Sequence, residues 1–216
     1  MEYVREVGDK TLALQSSSTI PSVEKLANFA LAQVAQVADQ WAEDFIIEVG
    51  SWVFRLDERD GARWQLQALQ GGDDAWSDDA TTALEVVDSQ FRVLSRVGGF
   101  EPTACRVDSL VLVHEDLHPR GDRAAQTVEL RRRAVSTENE DGRIDSGWYL
   151  GPVNAAEVPR PDQLVGRSVG SLMQEYLFVV PALMLPLGTV VHFSDEAIIS
   201  VRGGNGAEHW TANRAV

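Results

Sequence analysis

The sequence predicts an α+β protein, with mixed or antiparallel sheets packed against helices in two small domains. Three observations carry that expectation. Strand-like and helix-like segments alternate irregularly along the 216 residues, without the repeating strand–helix–strand order of a parallel α/β fold. Two pairs of strand-like runs flank short polar turns, as antiparallel hairpins do. The polar break His118-Pro119-Arg120-Gly121-Asp122-Arg123 places the domain boundary, giving residues 1–122 and 123–216.

In chain order, Thr11 to Gln15 reads as a short strand, followed by the polar loop Ser16 to Thr19. Pro21 suits the first turn of a helix, where its missing N–H costs nothing. Val23, Leu26, Ala27, Ala30, Leu31, Val34, Val37, Ala38 and Trp41 then recur at helical spacing, predicting an amphipathic helix to about Trp41. Phe45 to Val49 is β-like. Trp52 to Leu56 and Trp64 to Ala68 flank a turn containing Asp60-Gly61, with Trp64, Leu66 and Ala68 alternating onto one face. A second helix is expected from about Asp79 to Val97. Acidic Asp78 and Asp79 favour its start, and Gly98-Gly99 stops it.

Val107 to Val113 is apolar and β-branched and reads as a strand, as does Thr127 to Val135, with a charged side. A loop, Ser136 to Arg143, follows. Pro161 to Tyr176 carries Val165, Val169, Leu172, Met173 and Tyr176 at helical spacing, which predicts a third helix. Leu183 to Gly188 turns the chain. Thr189 to Phe193 and Ala197 to Arg202 form a hairpin pattern around Ser194-Asp195-Glu196, and the tail from Gly203 carries no clear signal.

Charge narrows the function classes. The formal net charge is −14, and of 19 basic residues only Lys10 and Lys25 are lysine. Such a surface repels phosphate backbones, so no nucleic-acid partner is expected; a basic protein would be steered toward it instead. Arg131-Arg132-Arg133 is not a basic patch, because adjacent residues of a strand point to opposite faces. The longest apolar run, Tyr176 to Leu187, is broken by Pro181 and Pro186 and is shorter than the roughly 20 residues of a spanning helix, so no membrane partner is expected. The single cysteine, Cys105, excludes an internal disulfide and reads as a buried thiol in a reducing compartment. The start, Met1-Glu2-Tyr3-Val4-Arg5, lacks the regions of a secretory signal, and a cytoplasmic location is expected.

Two stretches could carry function. His114-Glu115-Asp116-Leu117-His118 matches the H-E-x-x-H spacing that, on a helix, puts two histidines on one face to bind zinc with the glutamate activating water. Its context argues otherwise: a β-like run precedes it, and Pro119 biases His118 away from helical geometry. No Gly-x-Ser-x-Gly elbow or phosphate-binding loop is present. The other stretch is Asp145-Ser146-Gly147-Trp148-Tyr149-Leu150-Gly151-Pro152. Ser146-Gly147 is a turn dipeptide, and Asp145 is placed to accept a hydrogen bond from the backbone two residues on. Trp148 and Leu150 then point into a core, Tyr149 faces out, and Gly151-Pro152 ends the strand. A tight turn feeding a short strand accounts for the segment, and so does a recognition site.

The Asp145-Ser146-Gly147-Trp148 motif, placed shortly after a charged strand, resembles the signature of the immunity-protein-thirty-three domain family of bacteria. Leu185-Pro186-Leu187-Gly188-Thr189-Val190-Val191 is similar to the hydrophobic segment, turn and strand of the same domain. The resemblance covers roughly Thr127 to Arg202. Family members often carry Gly-Asp-Glu soon after the tryptophan, where this chain has Gly151-Pro152-Val153. The resemblance implies neutralisation of a toxin from a polymorphic-toxin system, and Asp145, Trp148 and Tyr149 become the candidate partner-binding residues. The expected function is therefore that of a non-enzymatic, acidic, cytoplasmic binding protein that docks a basic protein toxin and uses no cofactor. The alternative is a zinc-dependent hydrolase with His114 and His118 as ligands. A third possibility is a regulatory module whose N-terminal domain does the work.

Overall fold

The computed structural model describes residues 1–70, 75–98, 105–107, 109–117, 127–134, 145–153 and 159–211. The chain is an α+β protein with two sheets, and it divides into two compact units, Met1–Phe91 and Arg92–Val216. The polar break expected to separate domains lies outside the described residues. The strand just before it, Leu110–His114, pairs within the second sheet, so the second unit starts well upstream of residue 123.

In the first unit, β1 (Glu2–Val7) and β2 (Lys10–Gln15) form a hairpin, and α1 (Pro21–Ala35) packs on both. Next come β3 (Ile46–Val49), β4 (Trp52–Glu58), β5 (Arg63–Leu69), the two-residue β6 (Trp76–Ser77) and the first part of α2 (Thr81–Val97). The sheet runs β1-β2-β5-β4-β3, with β6 also paired to β5. The β2–β5 pair is parallel and the rest are antiparallel. Leu12, Leu14, Ala27, Leu31, Phe54, Leu66 and Leu84 form its buried core. The expected β4–β5 hairpin is present: the Asp60 side chain accepts from the Arg63 amide at 3.0 Å, and Gly61 takes φ +73°. The strand β1 was not anticipated, because its burial is sparse.

The helix expected to reach Trp41 ends at Ala35. A 3₁₀ turn, Ala38–Gln40, follows, and Trp41 folds back to donate from Nε1 to the Val34 carbonyl at 3.0 Å. The apolar periodicity runs past the helix end because Trp41 is buried by this reversal, against Trp64 with ring centroids 5.8 Å apart. Helix α2 starts where expected, with the Asp79 side chain accepting from the Thr81 amide at 3.0 Å, and it stops at Gly98, whose φ is +73°.

The second unit holds β7 (Leu110–His114), β8 (Val128–Arg132), β9 (Asp145–Pro152), β10 (Leu164–Ser168), α3 (Val169–Glu175), β11 (Val190–Ser194), β12 (Ala197–Arg202) and β13 (Glu208–Thr211). Its sheet runs β10-β7-β9-β8-β11-β12-β13. Among the described residues only the β7–β9 pair is parallel. Val111, Leu130, Trp148, Leu150, Leu172, Val191 and Phe193 are fully buried. As the strand geometry requires, Arg131 and Arg133 are exposed while Arg132 is buried.

One expectation changes here, and one unread segment gains a strand. The helix expected over Pro161 to Tyr176 is a 3₁₀ turn, an edge strand and then α3, which is only seven residues long. Gly166 and Gly170 disfavour a continuous helix, and β10 gains ladder bonds against β7. The tail returns as β13 on the free edge of β12. The β11–β12 hairpin matches expectation, with Asp195 and Glu196 both at positive φ (50° and 61°), as a two-residue type I′ turn demands. Among the described residues, no helix is long and apolar enough to cross a membrane.

Candidate functional site

The Asp145 to Trp148 motif is a bulge in β9. From Leu110 to Leu112 on β7 the partners on β9 advance from Asp145 to Tyr149, so a step of two residues on one strand spans a step of four on the other. Each motif residue closes part of that bulge. The Asp145 carboxylate accepts from the Gly147 amide at 2.8 Å, as expected. The Ser146 hydroxyl donates to the Leu110 carbonyl at 2.6 Å and accepts from the Trp148 amide at 3.2 Å. Gly147 sits at φ +78°, a conformation that carries a steric cost for any residue with a Cβ.

The bulge delivers Trp148 into the core, where it is fully buried. Its indole N–H donates to the Leu183 carbonyl at 3.1 Å, and the Arg132 guanidinium lies 5.4 Å from its ring centroid. Arg132 itself donates to the Leu185 carbonyl at 2.6 Å, and burial pushes its pKa down, opposed by the nearby Cys105. Cys105 is buried, with Sγ 3.4 Å from the Leu183 carbonyl. Trp148 thus offers no surface to a partner. Tyr149 and Asp145 are half-buried.

His114 is the last residue of a strand, and Glu115-Asp116 form a turn. Residues His114 to Leu117 are therefore not helical, so the helix on which zinc peptidases place their first histidine and glutamate is absent there. The His114 ring is buried, and its Nδ1 accepts from the Asp116 amide at 3.2 Å. His118 lies outside the described residues. Among the described residues, no group of three or more His, Cys, Asp or Glu side chains is placed to hold a metal ion.

A polar row missed by the sequence reading crosses the outer face of the second sheet. Glu129 stands opposite both Gly151 and His192, His192 opposite Ser200, and Ser200 opposite Thr211. Directly opposed residues share a face. His192 Nε2 lies 3.0 Å from Glu129 Oε2, and its Nδ1 lies 3.2 Å from the Ser200 hydroxyl. Arg131 pairs with the other Glu129 oxygen at 2.6 Å. The Tyr149 ring lies over Gly151, where a Cβ would be 1.9 Å from the phenol oxygen. That oxygen is buried, with no hydrogen-bond partner among the described residues. Burial raises the Tyr149 pKa, Glu129 and Asp116 add to the effect, and Arg131 opposes it. The alternation in β8 and β11 does point Glu129 and His192 outward, but nothing local reveals that strands more than 60 residues apart are neighbours.

The first unit presents a different surface. Asp39, Glu43, Asp44 and Glu48 are exposed along the approach to edge strand β3 and on it. Glu2 and Asp79 line a shallow cleft with Gln15, Ser16 and Ser17. Several acids pair with arginine, Asp44 with Arg55 at 3.0 Å and Asp57 with Arg59 at 2.8 Å, yet acids outnumber bases. Compared with known proteins, the chain matches no family model, no curated protein and no solved structure.

Proposed function

We propose that the chain is a cytoplasmic binding protein that captures a basic protein partner, in the manner of the toxin-immunity proteins it resembles over Thr127 to Arg202. The observation that carries this reading is the division of charge between the units. Met1–Phe91 holds 17 acidic against 6 basic side chains, a net −11, while Arg92–Val216 holds 16 against 13, a net −3. A field concentrated on one unit steers a basic partner to that unit and raises the association rate. The first unit is therefore the docking surface. In the second unit, Asp145 and Tyr149 remain the residues of the motif open to contact, with Trp148 holding them in place.

Gene context and growth rescue test the reading. The gene immediately upstream is expected to encode a large secreted protein with a variable C-terminal domain. Co-expression of the chain should relieve growth arrest caused by that domain. Glu43→Lys, Asp44→Lys and Glu48→Lys together should slow association at least tenfold at low salt, with little change in dissociation. A metabolic operon upstream, or rescue that ignores these reversals, would overturn it.

A further inference from the structure

We propose that Ser200, His192 and Glu129 form an acyl-transfer site on the second unit, with Ser200 as nucleophile toward small carboxylic esters. This goes beyond the binding reading and concerns the other unit. A serine nucleophile needs a base within hydrogen-bond reach and a third group that orients the base. All three are here, one from each of three neighbouring strands, held in register by the ladder rather than by a loop.

A carboxylate can only accept, so Glu129 fixes the proton of the neutral His192 ring on Nε2. Nδ1 is left as the acceptor facing the Ser200 hydroxyl at 3.2 Å. The His192 and Glu129 side chains are 16% and 14% exposed, and Ser200 is 9% exposed, which keeps bulk water from competing for these bonds. Ser200 also follows a break in the ladder: Phe193 pairs with Ile198 and His192 with Ser200, so Ile199 opposes no residue of β11. Bulges of this kind re-aim a side chain beside them. Thr211 brings a second hydroxyl to the same face, opposite Ser200 on the exposed edge strand.

In the acylation step the Ser200 oxygen bonds to the ester carbonyl carbon while its proton passes to His192 Nδ1. Collapse of the tetrahedral adduct breaks the bond to the leaving alkoxide, which takes that proton and departs as the alcohol. Water then attacks the acyl-serine by the same route, its proton passing through Nδ1 to the serine oxygen as the carboxylic acid leaves. Glu129 acts as a positioning residue and keeps its hydrogen bond to Nε2 throughout. Thr211, the register partner of Ser200 on the same face, is the residue placed to offer a hydroxyl donor to the oxyanion.

The full chain incubated with a fluorophosphonate probe should gain one probe mass at Ser200 by peptide mapping, and should hydrolyse p-nitrophenyl acetate with a burst of p-nitrophenol. Ser200→Ala should abolish labelling and burst. His192→Ala should reduce both at least 100-fold, and Thr211→Val should slow hydrolysis about 100-fold. Glu129→Gln should lower kcat and shift the pH profile of hydrolysis rather than raise KM. Ser200→Cys should restore a burst with thiol-reactive esters, which guards against a folding defect in the alanine variant. An unlabelled wild-type chain, under conditions that label a control esterase, overturns the proposal. So does labelling that persists in Ser200→Ala.

Discussion

Replacing Trp148 with alanine is the sharpest perturbation of the motif, because folding and recognition roles predict opposite results. The side chain is fully buried. A buried tryptophan removes about 150–250 Å² from water, or about 4–6 kcal/mol at about 25 cal/mol per Å². Alanine keeps a small part of that, and large-to-small changes of this kind cost about 3–5 kcal/mol. Loss of the indole donor at 3.1 Å from the Leu183 carbonyl places the change toward the upper end. Trp148→Phe keeps most of the ring burial and should cost about 1–2 kcal/mol, chiefly the hydrogen bond. Hydrogen-exchange mass spectrometry across a urea titration reads the two units separately. Protection should collapse early in β8, β9 and β11 and stay unchanged in β2, β4 and β5. A cost below about 1 kcal/mol for Trp148→Ala, or weakened binding with the urea midpoint of the second unit in place, would refute the core-filling role of Trp148.

Three further outcomes follow from the same sheet. Tyr149→Phe removes a buried hydroxyl that has no partner among the described residues, so it should be neutral or stabilising by up to about 1 kcal/mol, read from the same urea midpoint. The raised Tyr149 pKa also sets a pH dependence. The phenol's contribution is fully present below its unfolded value of about 10 and is lost as pH rises through the higher folded value. Stability should therefore fall in that alkaline window less steeply in Tyr149→Phe than in the parent, with phenolate absorbance at 295 nm reporting the titration. Gly151→Ala should cost about 1–3 kcal/mol, because a Cβ there meets the Tyr149 ring. The cost should vanish in a Tyr149→Ala background, and a double-mutant cycle showing simple additivity would refute the contact.

The sequence made the local decisions visible and hid the long-range ones. Where a segment's own pattern decides its fate, the reading was accurate: the Asp60-Gly61 turn, the α2 boundaries and the Asp195-Glu196 turn all rest on residues within a few positions of each other. It misread segments whose conformation is set by a distant partner. Val165 and Val169 share a helical period, yet Val165 lies in an edge strand because Val113 is its ladder partner, and that pairing outweighs a glycine-weakened helix. Strand β13 was illegible for the same reason, since it is held by pairing with β12. The candidate chemistry follows suit. His192 and Ser200 are close in sequence, but Glu129, which orients the ring, arrives only through the β8–β11 ladder.

The motif and the charge, which the sequence reading joined into one binding site, belong to different units. Four residues of Asp145 to Trp148 are accounted for by the demands of one bulge: a carboxylate to close it, a hydroxyl to bridge its strands, a glycine for positive φ and a tryptophan to fill the core behind it. A motif so constrained by folding can persist in proteins whose partners differ, so it identifies a kind of scaffold more strongly than a kind of ligand. Asp60 and Asp79 close a turn and start α2, but exposed acids such as Asp39 and Glu43 carry the field without such a role and are free to follow the partner. If the binding reading holds, exchanging charges on the first unit should change which partner is captured, while changes in the motif should alter how much folded protein there is to capture it. Measuring association rate and folded yield on both sets of variants separates the two roles directly.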